Sequence, residues 1–115
     1  MLSKEKTMLL VVEGTAPPLL LLTILMILSG YGIAGSRTLS ALTGGLFGYR
    51  TSLFIHTDSL IRYSFSILAL IHSYSGFSLM ILRRVRHSML RNIIEYIVFI
   101  LIVYIGIIVS IIEFT

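Results

Sequence analysis

Cysteine, tryptophan and glutamine are all missing from this chain, and only five acidic residues stand against nine basic ones. Without cysteine the chain can form no disulfide, no thiolate-bound zinc site, no covalently attached c-type haem and no iron–sulfur cluster on its own ligands. The joint lack of cysteine and glutamine beside so much isoleucine fits a heat-adapted source, or the chance of a short sequence. Charge of either sign is scarce, at 12% of residues, while 57% are hydrophobic and the mean hydropathy is +1.00. That is too apolar for a soluble domain of 115 residues.

What is there instead is three long apolar runs, over residues 16–34, 59–82 and 92–112. A span needs about 20 mostly apolar residues to cross roughly 30 Å of hydrocarbon at about 1.5 Å per residue, and each run meets or approaches that length. The expected fold is therefore all-α, a three-helix transmembrane bundle forming one membrane domain over residues 1–115. The spans and their connections use nearly every residue, so a redox centre or active site outside the bilayer is expected on another chain. A basic start, a Leu-rich run and Gly32-Ile33-Ala34 imitate a signal peptide, but the first run is expected to be retained as a true span.

Thr15 is placed to cap the first helix, with Pro17 and Pro18 in its first turn, where missing amide donors cost little. The alternative is one longer helix from about Thr7, kinked at the prolines. Residues 35–57 hold Gly35, Gly44, Gly45 and Gly48 among Ser, Thr and Arg, a composition for a loop or interfacial turn. His56 lies at its end and is expected as a solvated interfacial histidine in preference to a second haem ligand. On a continuous helix it would stand about 24 Å from His72 and about 160° round the axis, too far for one haem to use both.

The second run carries the chemistry. His72 falls near its middle, where an imidazole loses its water and must find a partner, and an ionisable group inside a span marks a functional site by default. At about 100° per residue, Phe65, Leu68, Ala69, Ser75, Gly76, Leu79, Arg83 and Arg86 lie within about 60° of His72. Gly76, one turn on, removes a side chain where a flat macrocycle would lie, and Arg83 could meet a propionate. Ser75 and Ser73 are candidates to hold the second ring nitrogen. The small residues also suit plain helix packing, and the arginines topology alone. In the third run Glu95 is expected to pair with Arg91, one turn earlier, and Gly106 with Ser110 forms a small-residue pair for packing.

The run Ile71-His72-Ser73-Tyr74-Ser75-Gly76, in the second of three spans, resembles the smaller hydrophobic anchor subunit of succinate dehydrogenases and fumarate reductases. The likeness covers about residues 60–115. It implies that His72 is an axial ligand of a b-type haem shared with a second membrane-anchor subunit. It also implies a cytoplasmic iron–sulfur subunit docked alongside, with quinone bound near it. Where many members have an acidic residue and a tyrosine at the end of this helix, the chain has Arg83 and Arg84, so a quinone site of the usual composition does not carry over. The haem-b membrane subunits of hydrogenases and other reductases also use intramembrane histidines. Two other classes stand beside this one: a purely structural small membrane subunit, and a transporter component, for which the sparse charges provide no relay.

Arg83, Arg84, Arg86 and Arg91 crowd the second connection, and Lys4 and Lys6 precede the first span, against Arg37 and Arg50 on the other side. The positive-inside rule then puts the N-terminus in the cytoplasm of a multi-pass protein of the cell membrane. The net charge of +4 describes that orientation, and no aromatic–basic pattern makes it a nucleic-acid surface. A His87→Cys chain in intact cells is expected to react with an impermeant maleimide only after the membrane is opened. Labelling from outside would reverse the topology.

Overall fold

A computed structural model describes residues 3–115. Among them there are five helices and no strand: α1 (Lys4–Ala34), α2 (Ser36–Leu42), α3 (Tyr49–Thr57), α4 (Ser59–Arg84) and α5 (Ser88–Phe114). Of these, α1, α4 and α5 are long and apolar enough to cross a membrane. Their bounds enclose the three apolar runs and extend beyond them, because helical hydrogen bonding continues past the hydrocarbon where polar residues take over.

The largest difference from expectation is at the start. The helix does not begin at Thr15. Ser3 caps it instead, its Oγ accepting from the amide of Lys6 at 3.2 Å, and Glu5 in the first turn suits the positive end of the helix dipole. Thr15 is interior, with its hydroxyl donating to the Val11 carbonyl at 2.7 Å. Pro17 and Pro18 lie within α1, as prolines in apolar membrane helices can.

Residues 35–57 also differ from the expected loop, since they contain α2 and α3. The glycines explain this by their places. Gly35 and Gly48 stand at the N-caps of the two helices. Gly44 and Gly45 form the turn between them at φ 65° and 87°, a backbone open to glycine and costly for most other residues. Thr43 receives the amide of Phe47 at 3.1 Å, and the Phe47 ring is buried. Helix α4 does not reach back to His56, because Asp58 is extended, at φ −63° and ψ 125°, and its Oδ2 accepts from the amide of Ile61 at 3.1 Å. One residue thus ends α3 and caps α4.

The chain divides into two compact units, with boundaries between Pro17 and Pro18 in α1 and between Phe65 and Ser66 in α4. The first comprises α1 up to Pro17, α4 from Ser66, and α5. Here α1 and α4 run antiparallel, meeting at Glu5–Arg83 and at Thr15–His72. Helix α5 packs on α4 through an edge-on Tyr74–Phe99 pair at 5.7 Å and through Gly106, where an added Cβ would lie 3.7 Å from Leu70 Cδ1. The expected small-residue packing of α5 is therefore seen at Gly106.

The second unit, Pro18–Phe65, is built on close approach of small residues. Ser29 and Ser52 are fully buried, and a Cβ added to Gly32 would overlap the Ser52 side chain, reaching within 2.6 Å of its Cβ. Gly32→Ala is accordingly expected to cost about 1–3 kcal/mol by overpacking. Gly14→Ala meets nothing within 4 Å and should gain up to about 1 kcal/mol from helix propensity. Unfolding in detergent by titrated SDS reads both, and equal effects would refute the close contact.

Candidate functional site

Two histidines of the chain are each seated on a hydroxyl of α1, one in each unit. In the first, His72 Nδ1 lies 2.8 Å from Thr15 Oγ1. The Thr15 hydroxyl has one hydrogen, and its shortest contact, at 2.7 Å, is with the carbonyl of Val11 one turn back. Assigning the hydrogen there makes the oxygen an acceptor, so the ring donates from Nδ1; an uncharged ring held in this way has its lone pair on Nε2. That is the form in which a histidine ligates a metal while its other nitrogen is held in place. Ser75 and Ser73, the sequence candidates for this role, do not supply the bond: Ser75 is buried and Ser73 exposed on α4.

The surroundings of His72 differ on its two sides. Going one way round α4, Leu79, Ser75 and Ser78, at about −20°, −60° and −120° from His72, are buried. Going the other way, Gly76 at about +40° would place a Cβ with nothing within 4 Å, and Met80 and Ser73 beyond it are exposed. His72 thus stands at the edge of the packed face, beside an open strip floored by Gly76. A side chain added at this position would meet no neighbour within 4 Å of its Cβ among the described residues. The antiparallel register puts His72 eleven residues, or about 16 Å, from Arg83, close to half the thickness of a bilayer's hydrocarbon.

Polar groups collect at the end of this unit that carries Arg83. Arg83 Nε donates to Glu5 Oε1 at 2.9 Å in a pair more than half exposed on both sides. Glu95 pairs with Lys4 of α1 and not with Arg91, correcting the helix-surface pairing expected from spacing. The carboxylate is buried, with its side chain 8% exposed, and Oε1 has no hydrogen-bond partner among the described residues. The buried carboxylate is reached from α1 by Lys4. His87 caps α5, its Nδ1 receiving the amide of Leu90 at 3.3 Å.

In the second unit, His56 Nδ1 lies 3.0 Å from Ser29 Oγ, so it is not the solvated histidine expected from its interfacial position. Ser29 also donates back to the Met26 carbonyl, at 3.2 Å. Of these two α1 hydroxyls, the sequence marked Thr15 only as a helix cap and Ser29 not at all. Partners 57 and 27 residues away cannot be read from spacing, and α1 offers Thr23 beside Thr15 and Ser29 with nothing local to choose among them.

Comparison with known proteins finds no matching family model, no matching curated protein and no matching solved structure.

The Thr15–His72 bond carries a direct test. Thr15→Val keeps the shape but strands the ring nitrogen, and should cost about 1 kcal/mol in detergent unfolding. Thr15→Ser, which keeps the oxygen, should stay within a few tenths of the parent. Equal stability of all three would show that the bond holds nothing.

Proposed function

We propose that this chain is a membrane-anchor subunit of a respiratory oxidoreductase in the cell membrane, in which His72 supplies one axial ligand to a b-type haem through Nε2. The observation that carries the reading is the Thr15–His72 contact, which leaves Nε2 as the nitrogen with a lone pair and fixes the ring about the other. The open strip at Gly76 supports it, since a glycine without packing duty beside a ligand is where a flat macrocycle can approach the helix. Bound there, a haem would supply one-electron transfer through the membrane.

The chain's own residues have narrower roles. Thr15 orients His72 and selects its tautomer. Gly76 keeps the approach open, and buried Ser75 lines the wall beside it. Arg83 gives its Nε to Glu5 and has its terminal amino groups left for a propionate. The second axial ligand comes from a second membrane-anchor subunit. The Arg-rich connection, on the cytoplasmic side together with the N-terminus, docks an iron–sulfur partner, and quinone is the natural small-molecule acceptor or donor. A haem-b subunit of a membrane-bound hydrogenase or other reductase has the same chemistry at His72.

The same hydrogen bond favours a second reading, a structural small subunit in which His72 merely clamps α1 to α4. The two separate in a reduced-minus-oxidised spectrum of the intact complex. His72→Ala should remove a b-type α-band, and Gly76→Leu should weaken or remove it by filling the strip without harming insertion. Unchanged haem content in both variants, in assembled complex, leaves only the structural reading.

A further inference from the structure

Helices α2 and α3 form the connection between α1 and α4, two helices long and apolar enough to cross a membrane, which puts the pair at the surface of the bilayer. They lie against one another: a Cβ added to Gly48 would stand 3.9 Å from Ser40 Oγ. The outward side of α3 follows from its register. At about 100° per residue, Leu53, Phe54 and Thr57 fall within about 60° of Arg50, and all four are exposed, whereas Ser52 is buried and His56 meets Ser29. The apolar side of this helix is therefore turned away from the chain, with Phe54 68% exposed, and Tyr49 in α3 and Leu42 and Leu46 before it are exposed too. Thr57 suits that side, because its hydroxyl donates to the Leu53 carbonyl at 2.6 Å.

Charge decides what covers this face. No acidic residue occurs between Glu13 and Asp58, and Arg37 and Arg50, both exposed, make no ion pair among the described residues. Asp58, the next acid in the chain, accepts from the amide of Ile61. Cations without a counter-charge beside exposed apolar side chains suit an amphiphile with an anionic head. Its acyl chains cover Leu53 and Phe54, and its phosphate meets the guanidinium at the end of the same face, where arginine offers a fork of N–H donors. A short helix with an apolar side and a basic residue at a membrane surface holds lipid by both terms together. From this we infer that the α2–α3 connection is a binding surface for an anionic phospholipid, with Arg50 and Arg37 serving the headgroup and Leu53 and Phe54 the chains. The inference is independent of the haem at His72.

The chain has no tryptophan, so Phe54→Trp gives the purified full chain a single fluorescent reporter on this face. The chain is placed in phosphatidylcholine vesicles in which a small fraction of the lipid is brominated phosphatidylglycerol or, in a parallel sample, brominated phosphatidylcholine with the same chains, and quenching is compared. At equal fractions the anionic lipid is expected to quench several-fold more effectively. The preference should fall toward parity in high salt and when Arg37→Gln and Arg50→Gln are added, while Arg37→Lys with Arg50→Lys, which keeps both charges, retains most of it. Tyr104→Trp, on the exposed face of α5, is the reference and should be quenched alike by both lipids. Equal quenching of the Phe54→Trp chain by the two lipids, a preference unchanged by the double glutamine variant, or the same preference in Tyr104→Trp overturns the inference. Quenching by neither lipid does so as well, and shows the face covered by protein. Should the glutamine variant fail to insert, the salt series decides: a preference that survives high salt overturns the anionic site.

Discussion

Water is the ordinary partner of a histidine, and the middle of an apolar helix holds none. An imidazole placed there has two nitrogens with opposite needs, one a donor and one an acceptor, and an unanswered polar group in hydrocarbon costs several kcal/mol, by order of magnitude. At His72 the donor is answered by a hydroxyl that already belongs to α1's own hydrogen-bonding, through Val11. Such an oxygen spends its only hydrogen at home and still has a lone pair to give, so it accepts a donor from outside at little cost. With its hydrogen on the Val11 carbonyl, Thr15 is an acceptor and the His72 ring facing it a donor.

Two ion pairs of the same unit stand together at one end. Lys4 meets Glu95 and Glu5 meets Arg83, so adjacent residues of opposite charge on α1 reach opposite charges on α5 and α4. The Glu5–Arg83 pair, exposed on both sides, holds little energy, typically about 0–1 kcal/mol. What the two pairs add is register. An acid–base inversion between Lys4 and Glu5 would face Glu95 with a carboxylate, and Glu95 is too deeply buried to turn away. The pairs thus fix the level at which Thr15 meets His72, eleven residues further along α1 from Lys4.

Hydropathy made the three long helices legible, because hydrocarbon thickness imposes a length that few other environments require. It could not mark where α1 starts, since helical hydrogen bonding does not stop at the membrane surface and Ser3 caps as well as Thr15 would have. Composition misread residues 35–57 for a related reason: four glycines in a stretch of loop-like residues are concentrated at caps and one turn, and the segments between them remain helical. Of the candidate site, His72 and Gly76 were legible from position and spacing. Their setting was not. The hydroxyl that holds the ring is fixed by the antiparallel register of α1 on α4, and the partner of Glu95 by which way that carboxylate points, and neither is encoded locally.

An imidazole held by one nitrogen has its direction, tautomer and reach settled before any ligand arrives, which lowers the ordering cost of binding. Yet His72 contributes only one bond, and the strip beside it is open along Gly76. A single metal bond from a preset ring is of use only to a group that brings most of its own ligands, or to a neighbour that brings the rest. The apolar exposed faces of α5, rich in isoleucine, can satisfy lipid but offer no such chemistry. The preset ring and the open glycine strip are both on α4, so on this reading that is the side where the haem and its second ligand must meet the chain, while α5 is left to lipid and to packing on α4.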